Sequence, residues 1–447
     1  MTGTDWERCS AGLAELLEQE ASAAEELRRL TPAVLDAAST AGLFSMVVPG
    51  GRGGADVELS TLIDVTRTLA RGCPASAWTL SFLTMHNWLL TRFPERLQDE
   101  VFATPPGYGL VAAPLAPTGT AQRTTGPNGA NGWLVTGRWE WATGVRHADR
   151  VMVTCVEDRK DALALRFCVL PIDQVAVEDV WFTSGMRATG SDTVVVDSVF
   201  VADYATLPAE QLLEGAAASA PEGAGLAHLP VMAVLALVAA APAVGAAERA
   251  VDEYRERLRG RVLAYTFGDK AAEQPAAQVR LGTALADVRA ARRALDDAVD
   301  RLTDLTGRRS GDGSDGSSDG SDGSGDGSDG SSDGSDGSSD GSSDGSDGSS
   351  DDGGRGSGDG SADDVSHAAT RIAVRLAAAD AVRRSVAVIS DVCAGSGASV
   401  YRSDAVLQRL QRDVEVLKGH VMFDWDRTAE LAGRIELGLP LRPADRI

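Results

Sequence analysis

Two changes of hydrophobic period divide the chain, and they constrain its fold more than any other feature. From Asp5 to about Arg71 apolar residues recur at helical spacing, as in Leu13, Leu16 and Leu17 and again in Val34, Leu35 and Ala38, with Pro32 suited to a first helical turn. After Pro105-Pro106-Gly107 the apolar runs become short and rich in Val, Thr and Trp, over 111–116, 132–141, 150–156, 164–171 and 193–201, with Gly, Pro and Asp turns between them. From Ala209 the helical period returns. Residues 231–258, 277–305 and 364–393 read as long helices, and Leu281, Leu285, Val288, Leu295 and Leu302 step along one face of the second. This order predicts an α+β multidomain protein: an N-terminal helical domain over 1–108, a central β-domain over 109–207, and a C-terminal antiparallel four-helix bundle over 208–447. The strand spacing of the middle domain favours a small antiparallel β-barrel or sandwich.

Ser-Asp-Gly and Ser-Ser-Asp-Gly repeats fill 310–361, almost without an apolar side chain. Burial there cannot offset the entropy of ordering, so a disordered loop joining two bundle helices is expected. Calcium-binding nonapeptide repeats share the Gly and Asp but need a periodic large apolar residue, which this run lacks. Its fourteen aspartates supply much of the formal charge of −23, leaving the rest only modestly acidic, and nothing points to nucleic acid. The alanine-rich stretch 231–247 is interrupted by Pro242 and Gly245 and fits a buried helix better than a membrane span. No basic-then-apolar leader follows Met1, and Cys9, Cys73, Cys155, Cys168 and Cys393 lack metal-ligand spacing. A cytoplasmic protein with free thiols and no metal is the expectation.

Four stretches carry candidate chemistry. Residues 73–88 read as a helix in which small side chains alternate with Trp78, His86 and Trp88, either a closely packed core helix or the wall of an aromatic pocket. Gly137-Arg-Trp-Glu-Trp-Ala-Thr-Gly-Val-Arg-His-Ala-Asp149 sets Trp141, Thr143 and Gly144 where one strand turns into the next. Trp181-Phe-Thr-Ser-Gly-Met-Arg-Ala-Thr-Gly-Ser-Asp192 puts Arg187, Thr189 and Ser191 in a turn before the last strand. Near the C-terminus, a glycine turn from Gly395 leads to a helix bearing Arg409, Arg412 and Asp413, and then to Val-Glu-Val-Leu-Lys-Gly-His-Val-Met-Phe-Asp-Trp425. A single imidazole, His420, lies among apolar neighbours there. It is either a reacting group or a core histidine held by a backbone carbonyl.

Together with Gly42-Leu-Phe-Ser-Met-Val-Val-Pro-Gly-Gly-Arg-Gly-Gly54, the Gly-Met-Arg-x-Thr-Gly-Ser pattern of 185–191 and the Leu-Gln-Arg then Arg-Asp order of 407–413 resemble the acyl-CoA dehydrogenase superfamily, over nearly the whole chain outside 310–361. The resemblance implies the acyl-CoA dehydrogenase fold and a flavin. Its dehydrogenases need a carboxylate base for the α-proton, placed shortly after the Arg-Asp pair or on the first long helix of the bundle. Val421 occupies the first place, and 226–247 around the second contains no Asp or Glu. That reaction requires a general base, so the two empty places argue against it. The chain is instead similar to the flavin-dependent monooxygenases of that fold, the two-component enzymes acting on 4-hydroxyphenylacetate, secosteroids or dibenzothiophene.

What that similarity implies is specific. His420 corresponds to the histidine beside the flavin C4a-hydroperoxide, and Thr143 takes a serine's place facing flavin N5. The loop with Trp141 and Gly144 covers the flavin ring, while Arg187, Thr189 and Ser191 buttress the cofactor side. Trp78, His86, Trp88 and Phe423 are implied as pocket residues for a small aromatic substrate, with His86 also a catalytic candidate. Reduced FMN or FAD would come from a separate flavin reductase, with O2 as cosubstrate, in a homotetramer. An arginine that such dehydrogenases use on the FAD pyrophosphate is missing from Ala264-Tyr-Thr-Phe-Gly268, which keeps FMN and FAD both open. Two other readings stand beside this one, a dehydrogenase or oxidase with a displaced base and a silent binding or scaffold paralogue.

Overall fold

The structure, a computed structural model, describes residues 3–126, 129–158, 164–213, 225–263, 266–311 and 362–442. Five helices come first: α1 (Gly3–Leu27), α2 (Pro32–Thr40), α3 (Leu59–Ala70), α4 (Pro74–Leu90) and α5 (Glu95–Phe102). Eight strands follow among the described residues: β1 (Val111–Ala112), β2 (Gly119–Thr125), β3 (Asn131–Ala142), β4 (Arg150–Glu157), β5 (Leu165–Pro171), β6 (Ala176–Glu178), β7 (Asp192–Ala202) and β8 (Thr206–Pro208). The chain then returns to helix in α6 (Ala209–Leu213), α7 (Val231–Gly260), α8 (Pro275–Gly311), α9 (Ala362–Ser396), α10 (Val406–Leu417) and α11 (Trp425–Glu436).

Local chemistry sets several of these starts. Thr31 caps α2 by accepting from the Val34 N–H, and Pro32 and Pro74 occupy opening turns where a missing N–H costs nothing. All 17 residues of α4 are buried, as expected of a helix whose every face is apolar or small. It runs between α3, α7, α10 and the turn at 187–189. Among the described residues α7 is the one helix long and apolar enough to cross a membrane, but its apolar stretch is buried against α3, α8 and α9, the placement of a core helix. Gly245 is required on it, because a Cβ there would collide with the Arg67 carbonyl of α3. One turn on, Glu248 accepts two 2.8 Å bonds from Arg67 and fastens the same two helices.

The expected antiparallel β-barrel is not found. The strands form one open, mixed sheet in the order β6-β7-β3-β2-β4-β5-β8, and its two ends, β6 and β8, do not pair with each other. Both β1 and β2 run parallel to β4, end to end along it, with Val111 opposite Arg150 and Gly119 opposite Cys155. The physical reason is that alternating apolar residues report which side of a strand is buried and say nothing of its neighbour or direction. β4 is buried along nearly its whole length, as a strand covered on both faces is. On the helical side, α7, α8 and α9 pack on one another, α10 lies against α7 and α9, and α11 against α9. The Ser/Asp/Gly run expected to be disordered lies outside the described residues from 312 to 361, with α8 and α9 packed together on either side of it.

Candidate active site

On α4, Trp78, Phe82 and His86 are spaced by four residues, so they stand one above another on one helix face. The Trp78 and Phe82 rings stack with centroids 4.6 Å apart, and His86 meets Phe82 edge-on at 5.7 Å. At the other end of this ladder His420, in the loop after α10, meets Trp78 edge-on at 5.3 Å and lies 5.8 Å from the Phe423 ring. His420 is half-buried, and desolvation, assisted by the Arg375 charge, lowers its pKa to about 4. It is therefore neutral at physiological pH. Its Nδ1 accepts from the Met422 N–H at 3.4 Å, which puts the proton on Nε2, and no partner for Nε2 is found among the described residues. Arg375 also donates to the Val421 carbonyl at 3.0 Å, pinning the neighbouring peptide.

A second chain of contacts leaves Trp78 in the other direction. Its indole N–H donates to Thr143 Oγ1 at 3.4 Å, Thr143 Oγ1 lies 3.0 Å from Ser191 Oγ, and Ser191 Oγ lies 2.8 Å from Thr189 Oγ1. Thr189 in turn donates to the Met186 carbonyl at 2.9 Å. The Gly144 N–H donates to the Thr189 carbonyl at 2.9 Å and locks the two turns together. Gly144 takes φ +70, a left-handed conformation that favours glycine, and Thr79 and Leu83 of α4 press close on the space a side chain would need.

The turn bearing these hydroxyls is held from α10. Buried Asp413 accepts the Met186 N–H at 2.6 Å, with Met186 at φ +52, and burial raises the Asp413 carboxyl to about 6. Arg412 donates to the Ser184 carbonyl at 2.7 Å and pairs with Glu25 of α1. Gly185 is needed here because a Cβ would strike the Arg412 carbonyl. Thus α10 anchors the hydroxyl turn and, three residues past its own end, presents His420.

Of the residues singled out in the sequence, Trp78, His86, Thr143, Thr189, Ser191, His420 and Phe423 join this connected cluster. Trp88 does not: it is buried elsewhere, beneath the Arg92 guanidinium at 4.8 Å. Trp141 is 63% exposed and holds φ +63, at the irregular end of the β3–β7 pairing. Arg187 lines a small crevice with Glu25, Cys73, Arg409 and Asp413. His86 is 1% exposed and its Nδ1 donates to the Val111 carbonyl at 2.6 Å, so its ring is tied to the backbone. Sequence reasoning missed Phe82, which lies midway between Trp78 and His86, four residues from each. It also missed Arg375, 45 positions before His420, for which no local signal exists. Part of the segment lacking the pyrophosphate arginine, 264–265, lies outside the described residues.

Comparison with known proteins gives this arrangement a family. Residues 237–314 and 359–425 match the model of the acyl-CoA dehydrogenase C-terminal domain. The flavin-dependent monooxygenase oxygenase subunit HsaA of Mycobacterium tuberculosis is 32% identical over 282 residues, 62% of this chain and 70% of that one. The oxygenase component of the FADH2-dependent resorcinol hydroxylase of a Rhizobium species is 31% identical over 291 residues, 63% and 69% of the two chains. In fold, the chain superposes on XiaF from a Streptomyces species, solved with FADH2 and glycerol, with a TM-score of 0.78 at 23% identity, covering 99% and 98% of the two. The chain belongs to the flavin-dependent two-component monooxygenases, as an oxygenase component within the acyl-CoA dehydrogenase-like fold family. It is an enzyme that uses reduced flavin and O2.

Proposed function

We propose that the protein hydroxylates a small aromatic compound with reduced FAD and O2, and that Trp78 marks where cofactor side and substrate side meet. The observation that carries this is the convergence of two distant loops on one indole: Thr143 bonds its N–H at 3.4 Å and His420 lies 5.3 Å from its ring. The donor set fits a flavin. Thr143 is half-buried with an oxygen free to accept a further hydrogen bond, and Trp141 offers an exposed indole two residues away. Gly144 and the 185–191 turn hold that edge rigid. When bound, the reduced flavin supplies the oxygen chemistry, and the protein's part is to bind, orient and exclude water.

Two uses of His420 are chemically distinct. An imidazole whose pKa is about 4 is a weak base, poorly suited to taking a phenolic proton, whereas its Nε2–H is a good hydrogen-bond donor to the oxygen being transferred. Donation is the role assigned. The ladder of Trp78, Phe82 and His86, with Phe423 beside His420, supports a planar substrate, as does the name of the resorcinol-hydroxylating relative. That relative's FADH2 favours FAD over FMN. A separate reductase delivering flavin by diffusion, a cytoplasmic location and a homotetramer complete the reading on the strength of the family resemblance, and native mass spectrometry tests the tetramer.

The test of function supplies chemically reduced FAD and O2 with a panel of phenols and indoles, and measures hydroxylated product against hydrogen peroxide. Product from at least one aromatic supports the reading. Peroxide alone across the panel, with flavin bound, contradicts the substrate class.

A further inference from the structure

We propose that Thr189 and Ser191 are positioning residues that fix the Thr143 hydroxyl as a hydrogen-bond acceptor and thereby make the site favour reduced over oxidised flavin. The inference rests on the reading that Thr143 faces the flavin. It follows from counting hydrogens along the relay. A carbonyl only accepts, so the one hydroxyl hydrogen of Thr189 is spent on Met186 O at 2.9 Å. Thr189 Oγ1 must then accept at its 2.8 Å contact, and Ser191 is the donor there. Ser191 Oγ, its own hydrogen used, accepts from Thr143 at 3.0 Å. The indole N–H of Trp78 only donates, which confirms the Thr143 oxygen as acceptor from its other side.

The polarity is therefore set from the buried end. Thr189 and Ser191 are 2% and 5% exposed, so water does not compete for their hydrogens, whereas Thr143 is half-buried and its oxygen, after the bonds to Ser191 and Trp78, keeps one lone pair to accept with. Met186 O, the terminal acceptor, is itself placed by the Asp413 bond to the Met186 N–H and by a 2.9 Å bond from the Trp181 indole. Reduced isoalloxazine carries a hydrogen on N5 and can donate to such an oxygen. The oxidised ring presents a lone pair there instead, and two acceptors facing each other gain no bond. Selecting the reduced form suits a protein that receives its flavin from elsewhere and must release it once oxidised.

The experiment measures dissociation constants of oxidised FAD and FMN aerobically, and of the reduced forms anaerobically, by flavin fluorescence and absorbance. Parental protein is compared with Ser191→Ala, Thr189→Val and Thr143→Val. In Ser191→Ala the Thr143 hydrogen is released to turn outward. In Thr189→Val the Ser191 hydrogen has no inward acceptor and turns to Thr143, with the same result. Both variants are expected to lower the preference for reduced flavin by about tenfold, the worth of one hydrogen bond to the ring. Thr143→Val should weaken reduced flavin, and Ser191→Ala on that background should change nothing further. An unchanged preference in folded Ser191→Ala and Thr189→Val overturns the relay while leaving Thr143 at the flavin. A Thr143→Val variant with parental affinity for both forms removes Thr143 from the flavin and takes the proposal with it.

Discussion

His86 and His420 stand at opposite ends of one aromatic ladder, and burial pushes both imidazoles down to about 4. By acidity alone they are the same residue. They differ in what their nitrogens still have to do. His86 spends its Nδ1 hydrogen on the Val111 carbonyl at 2.6 Å and is sealed at 1% exposure. His420 uses Nδ1 only as a weak acceptor at 3.4 Å and keeps its Nε2–H, in a half-buried loop. A shifted pKa therefore locates desolvated groups. Unspent hydrogen-bonding capacity at an accessible edge is what separates a reagent from a strut.

The sharpest way to break this contrast is His420→Leu, which removes the Nε2–H donor and leaves an apolar side chain in its place. Product formation should fall about 100-fold, the usual cost of losing one positioned hydrogen-bond donor. Hydrogen peroxide release should rise while circular dichroism stays parental.

Next in size is a pH effect on stability. An imidazole held at about 4 when folded and titrating near 6.5 when unfolded adds stability that is complete above 6.5 and is lost as pH falls toward 4. Asp413 runs the other way. Its carboxyl is raised from 3.8 to about 6, so its contribution is complete below 3.8 and is lost as pH rises through 6. Between pH 6 and 4 the two oppose each other. Asp413→Asn removes the offset, so its thermal midpoint should drop more steeply over that window than the parental one, by the equivalent of about 2 kcal/mol. Parallel curves would show that Asp413 does not titrate there.

His86→Leu should cost about 1–3 kcal/mol in urea unfolding, because the Val111 carbonyl loses its side-chain partner in the interior. Oxygen coupling should be nearly unchanged. A loss of coupling without loss of stability would move His86 from strut to reagent. The smallest effect is expected at Trp141→Gly: relieving a left-handed φ of +63 should raise stability by about 1 kcal/mol, while removing the exposed indole weakens flavin binding.

Much of this was legible in the chain. The shift from helical to alternating spacing near 107 and back near 209 matches the order of helices and strands, because period is a local property of burial. Thr143, Thr189, Ser191 and His420 were named from motifs, and they meet around Trp78. Sheet connectivity was not legible: nothing within 111–112 or 119–125 says that both run parallel to β4. Nor was the anchoring by Asp413, since its partner Met186 lies 227 positions away and a backbone N–H leaves no mark in sequence. Arg187 and Trp88, singled out from the same stretches, lie outside the contacts around Trp78: Arg187 lines the crevice beside Asp413, and Trp88 packs beneath Arg92.

The measurement that bears most directly on the contrast between the two histidines is oxygen coupling, moles of hydroxylated aromatic per mole of O2 consumed, in His420→Leu and His86→Leu side by side. Both variants are first shown to fold and to bind reduced FAD. The account predicts coupling lowered by about tenfold or more in His420→Leu, which has lost its donor, and held near the parental value in His86→Leu. Parental coupling in His420→Leu, or an equal loss in both, would contradict it.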